Sequence, residues 1–256
     1  TFDEAEATLG AAIADLGAPA TAEQLAAAEA AQEALTAAAA DLQAKADAAT
    51  AATTAALAAA EAANETPPDF AAIDAAVTAA AADADSAAAT TEASEAVTDG
   101  KVQALLEAAT AAGEDLVLKQ SAFDNAEQVL QDALAALSPT ATPVQLRAVE
   151  AAQSALTQAA DELQTALDGA QTAVQWAMEG AEAAQESEPE LSAITTAADS
   201  AQTAVDGTEA TIDDSEAITD AQVLAIYNQA MAAGNTLVTA QGEYDTAKQA
   251  LEDAVD

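Results

Sequence analysis

Residues 102–137 read VQALLEAATAAGEDLVLKQSAFDNAEQVLQDALAAL, and this stretch decides the fold. Within it an apolar side chain returns at every seventh position, at Val102, Ala109, Leu116, Phe123, Leu130 and Leu137. Seven residues make almost two turns of an α-helix, so these side chains share one face. The stretch contains no proline. It therefore predicts a long helix, over about 98–138, that packs in a bundle through this stripe.

The stripe returns 121 residues later, at Val223, Ala230, Leu237, Tyr244 and Leu251. Residues 1–135 align with 122–256 without a gap, at about 45% identity, which is typical of a repeat array. Phe2, Phe123 and Tyr244 are equivalent, and an aspartate follows each of them. The chain holds two periods plus 14 residues, and both ends fall within helical pattern. We therefore expect a segment of a longer array.

Prolines and capping residues mark the helix boundaries. All six prolines lie in two equivalent zones, one with Pro19, Pro139 and Pro143 and the other with Pro67, Pro68 and Pro189. Capping pairs predict helix starts at Thr21 with Gln24, Thr66 with Asp69, Thr142 with Gln145, Ser187 with Glu190, and Thr219 with Gln222. The predicted helices of the complete copy are 98–138, 142–185 and 188–208. The predicted repeats are 1–97, 98–218 and 219–256, the last being one helix of a third copy.

These boundaries predict an all-α protein, made of tandem three-helix bundles of period 121 that form an elongated rod with a shared linking helix. The seam of the second helix is predicted at Leu146, Val149, Gln153, Leu156, Ala160, Leu163, Leu167, Ala170 and Val174. Alanine at many seam positions favours closely spaced helices and a slim bundle. Gln153 and the equivalent Gln32 are expected to be buried polar residues that fix the register of the helices.

Composition excludes several classes of function. The chain has 45 Asp and Glu against 5 Lys and Arg, a formal net charge of -40, and no His or Cys. It therefore lacks the usual bases, nucleophiles and ligands of catalytic and zinc sites, and we expect no enzyme activity and no cofactor. So acidic a surface repels nucleic acid and anionic lipid. No apolar run is long enough for membrane insertion.

Calcium is the one ligand that so many carboxylates favour. Acidic residues recur where the short helix is expected to meet the next long one, and the calcium candidates are Asp85, Glu95, Asp99, Asp206, Asp213, Asp214, Glu216 and Asp220. A calcium clamp there would stiffen the joint. No EF-hand spacing is present, however, so we prefer to interpret these residues as a solvated acidic face with helix caps.

The repeated PheAsp motif, with alanine and glutamate following in Phe2-Asp3-Glu4-Ala5-Glu6 and again from Phe123, precedes long Ala/Leu/Gln helices. In this the chain resembles spectrin-like repeats and the three-helix, FIVAR-type modules of giant bacterial surface adhesins. The resemblance implies an extracellular stalk whose partners are other copies of the repeat. Two alternatives stay open: a segment of a self-assembling filament or surface layer, and a module that binds a host or matrix protein.

Overall fold

The computed structural model describes residues 1–138 and 141–255, which form five α-helices and no strand. The helices are α1 (Phe2–Asp15), α2 (Ala22–Ala62), α3 (Ala71–Ala135), α4 (Pro143–Ala183) and α5 (Ser192–Val255). The prediction of an all-α protein is confirmed. Within the described residues, no helix combines the length and apolarity needed to cross a membrane. The predicted helix breaker Pro139 lies outside the described residues.

Two of the predicted helix starts are confirmed, at α2 and α4. The backbone N–H of Gln24 donates to Thr21 Oγ1 at 3.2 Å, and that of Thr21 donates to Gln24 Oε1 at 3.0 Å. Thr142 and Gln145 make the same reciprocal pair, at 3.3 and 2.8 Å. Each box satisfies two backbone N–H groups that the first turn of a helix leaves without intrahelical partners.

The ends of α2 and α4 are also alike. Asn64 and Gln185 have positive φ values of 51° and 54°. The next N–H along the chain reaches back five residues, from Glu65 to Ala60 O and from Glu186 to Ala181 O, at 3.0 and 2.9 Å. This pattern is a Schellman motif, which satisfies carbonyls of the last helical turn and stops the helix.

The prediction that a short helix ends near 208 and a new helix begins at 98 or 219 is wrong. α3 runs unbroken through Thr98 and α5 through Thr219. Thr98 Oγ1 donates to Glu95 O, and Thr219 Oγ1 donates to Glu216 O, both at 2.9 Å, as in a helix interior. No proline lies within α3 or α5, and an interior glycine such as Gly100 costs only about 1 kcal/mol. The sequence around Thr98 and Thr219 therefore contains no residue that would end the helix.

The chain divides into two compact units. Unit 1 contains residues 1–112 and 170–194, and its core has two clusters of buried side chains. In one of them, Leu9 of α1 packs with Ala31 and Leu35 of α2 and Ala87 of α3. The other, which we call the junction cluster, contains Ala20, Leu25, Val102, Leu105, Ala109, Ala177, Ala181, Ala184 and Leu191. Alanine therefore supplies more than half of the junction cluster.

Unit 2 contains residues 113–169 and those from 195 onward. Its buried side chains include most of the predicted seams of α3 and α4: Leu116, Phe123, Leu130, Val149, Leu156, Leu163 and Leu167. The matching stripe on α5 differs from this expectation. Val223, Leu237, Tyr244 and Leu251 are 53%, 70%, 63% and 66% exposed. The same stripe is thus a seam on α3 and an open surface on α5.

Candidate functional site

The junction cluster brings four parts of unit 1 together: the α1–α2 connection and the first turns of α2, the middle of α3, the end of α4, and the connection that precedes α5. The contact is close because α4 presents Gly180 to its neighbours. A Cβ on Gly180 would lie 2.6 Å from Leu105 Cδ1 and 3.4 Å from Leu25 Cδ1. The backbone of α4 therefore lies close to these two leucines, and a side chain at position 180 would require Leu105 to shift within the cluster.

Carboxylates surround one side of the junction cluster. Burial raises the pKa of Glu29, and the nearby charges of Glu95, Glu33, Asp99 and Glu186 raise it further. Loss of water likewise raises the pKa of Glu186, with the charge of Asp99 and a hydrogen bond to it adding to the effect. Like charges held together disfavour ionisation, so this group of acids opposes the packing around it at neutral pH.

A recess of about 350 Å³ opens beside the junction cluster. It is lined by Ala18, Pro19, Ala20, Lys101, Ala104, Leu105, Ala108, Ala173 and Trp176. Lys101 Nζ donates to Gly17 O at 2.7 Å, which ties the middle of α3 to the α1–α2 connection. The lining offers an apolar surface and the ammonium group of Lys101, which is engaged by Gly17 O.

The predicted calcium candidates are dispersed along α3 and α5. Their side chains are all exposed, at Asp85, Glu95, Asp99, Asp206, Asp213, Asp214, Glu216 and Asp220. Among the side chains that the structure describes, those of residues 1–138, 141–249 and 251, no three acidic groups are close enough to hold a metal ion. Glu95 and Asp99 lie near Glu29, as described above. Calcium binding stays a prediction for experiment.

A second recess, of about 340 Å³, lies in unit 2 between α4 and α5. Its polar lining includes Asp161, Glu209 and Asp213, and its apolar lining includes Val205 and Ile212. Spacing along the sequence gave no sign of this recess, because its lining comes from two helices that are distant along the chain. To predict it, one would have to know in advance which residues of α4 lie opposite which residues of α5.

The predicted polar residues of the seam do link helices. Gln32 is buried, and with its amide oriented to suit its neighbours it donates to Glu29 Oε1 at 3.0 Å and accepts from the backbone N–H of Glu95 at 3.2 Å. The half-buried Gln153 donates to Ser215 Oγ at 2.6 Å, and Ser215 donates onward to Ile212 O. In each unit a glutamine therefore joins two helices by hydrogen bonds: Gln32 joins α2 to α3, and Gln153 joins α4 to α5.

Sequence reasoning missed Gly180 and Lys101, two residues on which the junction depends. Gly180 aligns with Ala59 and Lys101 with Gln222, so neither belongs to the repeated pattern. For Gly180, the one sign in the sequence was a glycine at a position where the other copy has alanine.

Comparison with known proteins gives no match: no family model, no curated protein and no solved structure is significantly similar to the chain. The resemblance to spectrin-like and adhesin repeats therefore stays an expectation about architecture. Function has to be inferred from the geometry of the helices, the junction cluster and the exposed stripe.

Proposed function

We propose that the chain is a structural spacer, a stalk segment of a long extracellular protein that holds a distal binding domain away from the cell surface. In this proposal it consists of tandem three-helix units of 121 residues and forms a rod. One observation favours it above the others: the same local geometry recurs at positions 121 residues apart.

The recurrence extends from helix bounds to individual hydrogen bonds. α2 and α4 each have 41 residues and begin 121 positions apart. α3 and α5 also begin 121 positions apart. Gln24 Nε2 donates to Asp15 O at 2.6 Å, and Gln145 Nε2 donates to Ala136 O at 2.6 Å. The positive φ angles at Asn64 and Gln185 are likewise 121 positions apart. Repetition of this kind is typical of arrays whose length is set by copy number.

The second support is the continuity of α3. Its 65 residues measure about 98 Å at 1.5 Å per residue. The proposed copy boundary between residues 97 and 98 lies inside this helix, as does the PheAsp motif at Phe123. A helix that is continuous across the copy boundary resists bending better than a flexible linker does, which suits a spacer. We assign no catalytic role, cofactor or metal to the chain.

Small-angle X-ray scattering coupled to size exclusion and mass detection tests the spacer. The chain is compared with a variant that carries one further copy of residues 122–242. The expected increase in maximum dimension is about 60 Å, the length of a 41-residue helix. The increase should be the same in calcium and in chelator. A compact particle that grows little would overturn the spacer.

A second candidate is a segment of a self-assembling filament or surface layer. The exposed stripe on α5 favours it, because a contiguous apolar surface commonly marks an interaction site. The mass measured in the same experiment separates the two candidates: a spacer acts as a monomer, whereas a filament segment associates as its concentration rises.

A further inference from the structure

The recess beside the junction cluster lies wholly within unit 1 and has a volume of about 350 Å³. Ligand sites in proteins occupy about 300–1,000 Å³, so the recess is large enough for a small molecule. Its walls come from the α1–α2 connection, the middle of α3 and the last part of α4. Apolar side chains form almost all of them: Ala18, Pro19, Ala20, Ala104, Leu105, Ala108, Ala173 and Trp176.

Lys101 is the charged residue in this lining. Its Nζ donates to Gly17 O at 2.7 Å, a carbonyl without formal charge. Lys45 and Lys119 instead pair with carboxylates, at 2.7 and 2.9 Å. An ammonium group has three N–H donors, and the bond to Gly17 uses one of them. Lys101 can therefore bind a further acceptor at the recess.

Two of the lining residues are specific to this copy of the repeat. Lys101 aligns with Gln222, and Trp176 aligns with Ala55. Trp176 is the single tryptophan of the chain and is 51% exposed, although a tryptophan buries a large apolar area when it is covered. The repeat therefore departs from its own pattern at the two side chains that can hold a ligand, one through its charge and the other through its ring.

We infer that the recess binds a small aromatic carboxylate, with the ring against Trp176 and the alanine walls and the carboxylate on Lys101 Nζ. Charge complementarity selects an anion, because the ammonium group repels a cation in the same space. The apolar walls favour a hydrocarbon body, since a polar one would lose its hydrogen bonds to water there. The spacer proposal does not require this site, so each of the two is tested separately.

The net charge of -40 opposes the approach of any anion to the chain, and this sets the conditions of the test. In about 0.5 M NaCl the screening length is about 4 Å. Distant carboxylates are then screened, whereas a hydrogen-bonded contact with Lys101, at about 3 Å, is kept. Binding to the recess is therefore measured at this salt concentration.

Titration of the full chain with phenylacetate in about 0.5 M NaCl, followed by NMR at the indole N–H of Trp176, tests the inference. Because the chain has one tryptophan, this signal reports on the recess directly. We expect a saturable shift with a Kd of about 0.1–10 mM, the range open to so small a ligand. Phenylacetamide, which is neutral, should bind about fivefold more weakly, and the cation phenethylamine should bind weakest of the three.

Two variants test the charge and the shape of the recess separately. Lys101→Met nearly keeps the length of the side chain but removes its charge. It should weaken phenylacetate binding about tenfold and change phenylacetamide binding by less than about twofold. Ala108→Leu narrows the recess from an exposed position on α3 and should remove the shift with both ligands.

Lys45→Met is the matched control, because it removes the same charge from an exposed lysine that pairs with Asp41. It should bind phenylacetate as the unaltered chain does. Circular dichroism shows whether each variant keeps its helix content, and Ala108→Leu decides the outcome if Lys101→Met unfolds. The inference is overturned if phenylacetate gives no saturable shift, if the amide binds as tightly as the acid, or if either folded recess variant binds phenylacetate normally.

Discussion

Gly180 is the residue at which α4 comes closest to its neighbours. Its substitution by alanine places a Cβ 2.6 Å from Leu105 Cδ1, inside a buried cluster. Overpacking costs about 1–3 kcal/mol, which exceeds the roughly 1 kcal/mol that alanine gains in helix propensity. We expect Gly180→Ala to lower the free energy of unfolding, measured by urea denaturation.

Gly169, in the same helix, provides the control. No side chain lies within 4 Å of the position where its Cβ would be. Gly169→Ala should therefore raise the free energy of unfolding by about 0.5–1 kcal/mol, because alanine loses less backbone entropy. Equal stabilisation by both substitutions would contradict the close packing of α4 on Leu105.

The acids beside the junction cluster predict a pH dependence. Glu29 and Glu186 have pKa values raised above their ordinary 4.5, so the folded chain takes up these protons before the unfolded chain does. Their contribution to stability therefore rises as pH falls from 7 toward 5. Glu186→Gln should raise the midpoint of thermal unfolding at pH 7 and reduce the gain on acidification. Glu188→Gln, two residues further along the same exposed connection, should change neither.

At the scale of the helices, Gln24 joins α1 to α2. Its amide donates to Asp15 O at 2.6 Å and accepts from the backbone N–H groups of Gly17 and Thr21 at 3.3 and 3.0 Å. Gln24→Ala removes all three bonds and should lower the free energy of unfolding by about 1–3 kcal/mol. Gln43→Ala, which loses a single exposed bond to Asp47, should cost only about 0.3 kcal/mol. Similar small losses at both sites would contradict the role of Gln24.

Local chemistry explains which elements were predictable. The capping boxes at Thr21 and Thr142 involve residues three apart, so the sequence reveals them directly. Thr219 carries the same Thr-x-x-Gln signal, yet its hydroxyl donates back into an unbroken helix. A threonine hydroxyl can cap the start of a helix or donate to a carbonyl inside one. A nearby proline favours the cap, and its absence favours the continuous helix. Glu29 and Glu186 lie 157 residues apart in the sequence, and only the fold brings them close together.

At the scale of the whole molecule, the repeat alignment identifies matching stripes on α3 and α5 but cannot say which of them is covered. Covering depends on helices elsewhere in the chain, and only the structure shows that the α3 stripe has them and much of the α5 stripe does not. The net charge, by contrast, follows from composition alone and acts on the molecule as a whole.

Self-repulsion from that charge predicts a salt dependence of stability. Raising NaCl from about 0.01 M to about 1 M shortens the screening length from about 30 Å to about 3 Å, so the midpoint of thermal unfolding should rise. Because all eight calcium candidates are exposed and dispersed, CaCl2 and MgCl2 at equal ionic strength should have equal effects. A larger effect of calcium would reveal a specific site.

The unbroken course of α3 also determines how the molecule can yield to a pull. Its backbone hydrogen bonds run parallel to its axis, so a pull along the axis loads them one after another. Its 65 residues span about 98 Å when helical and about 220 Å when drawn out straight. Unfolding this helix under load would therefore extend the chain by more than the length of the helix itself.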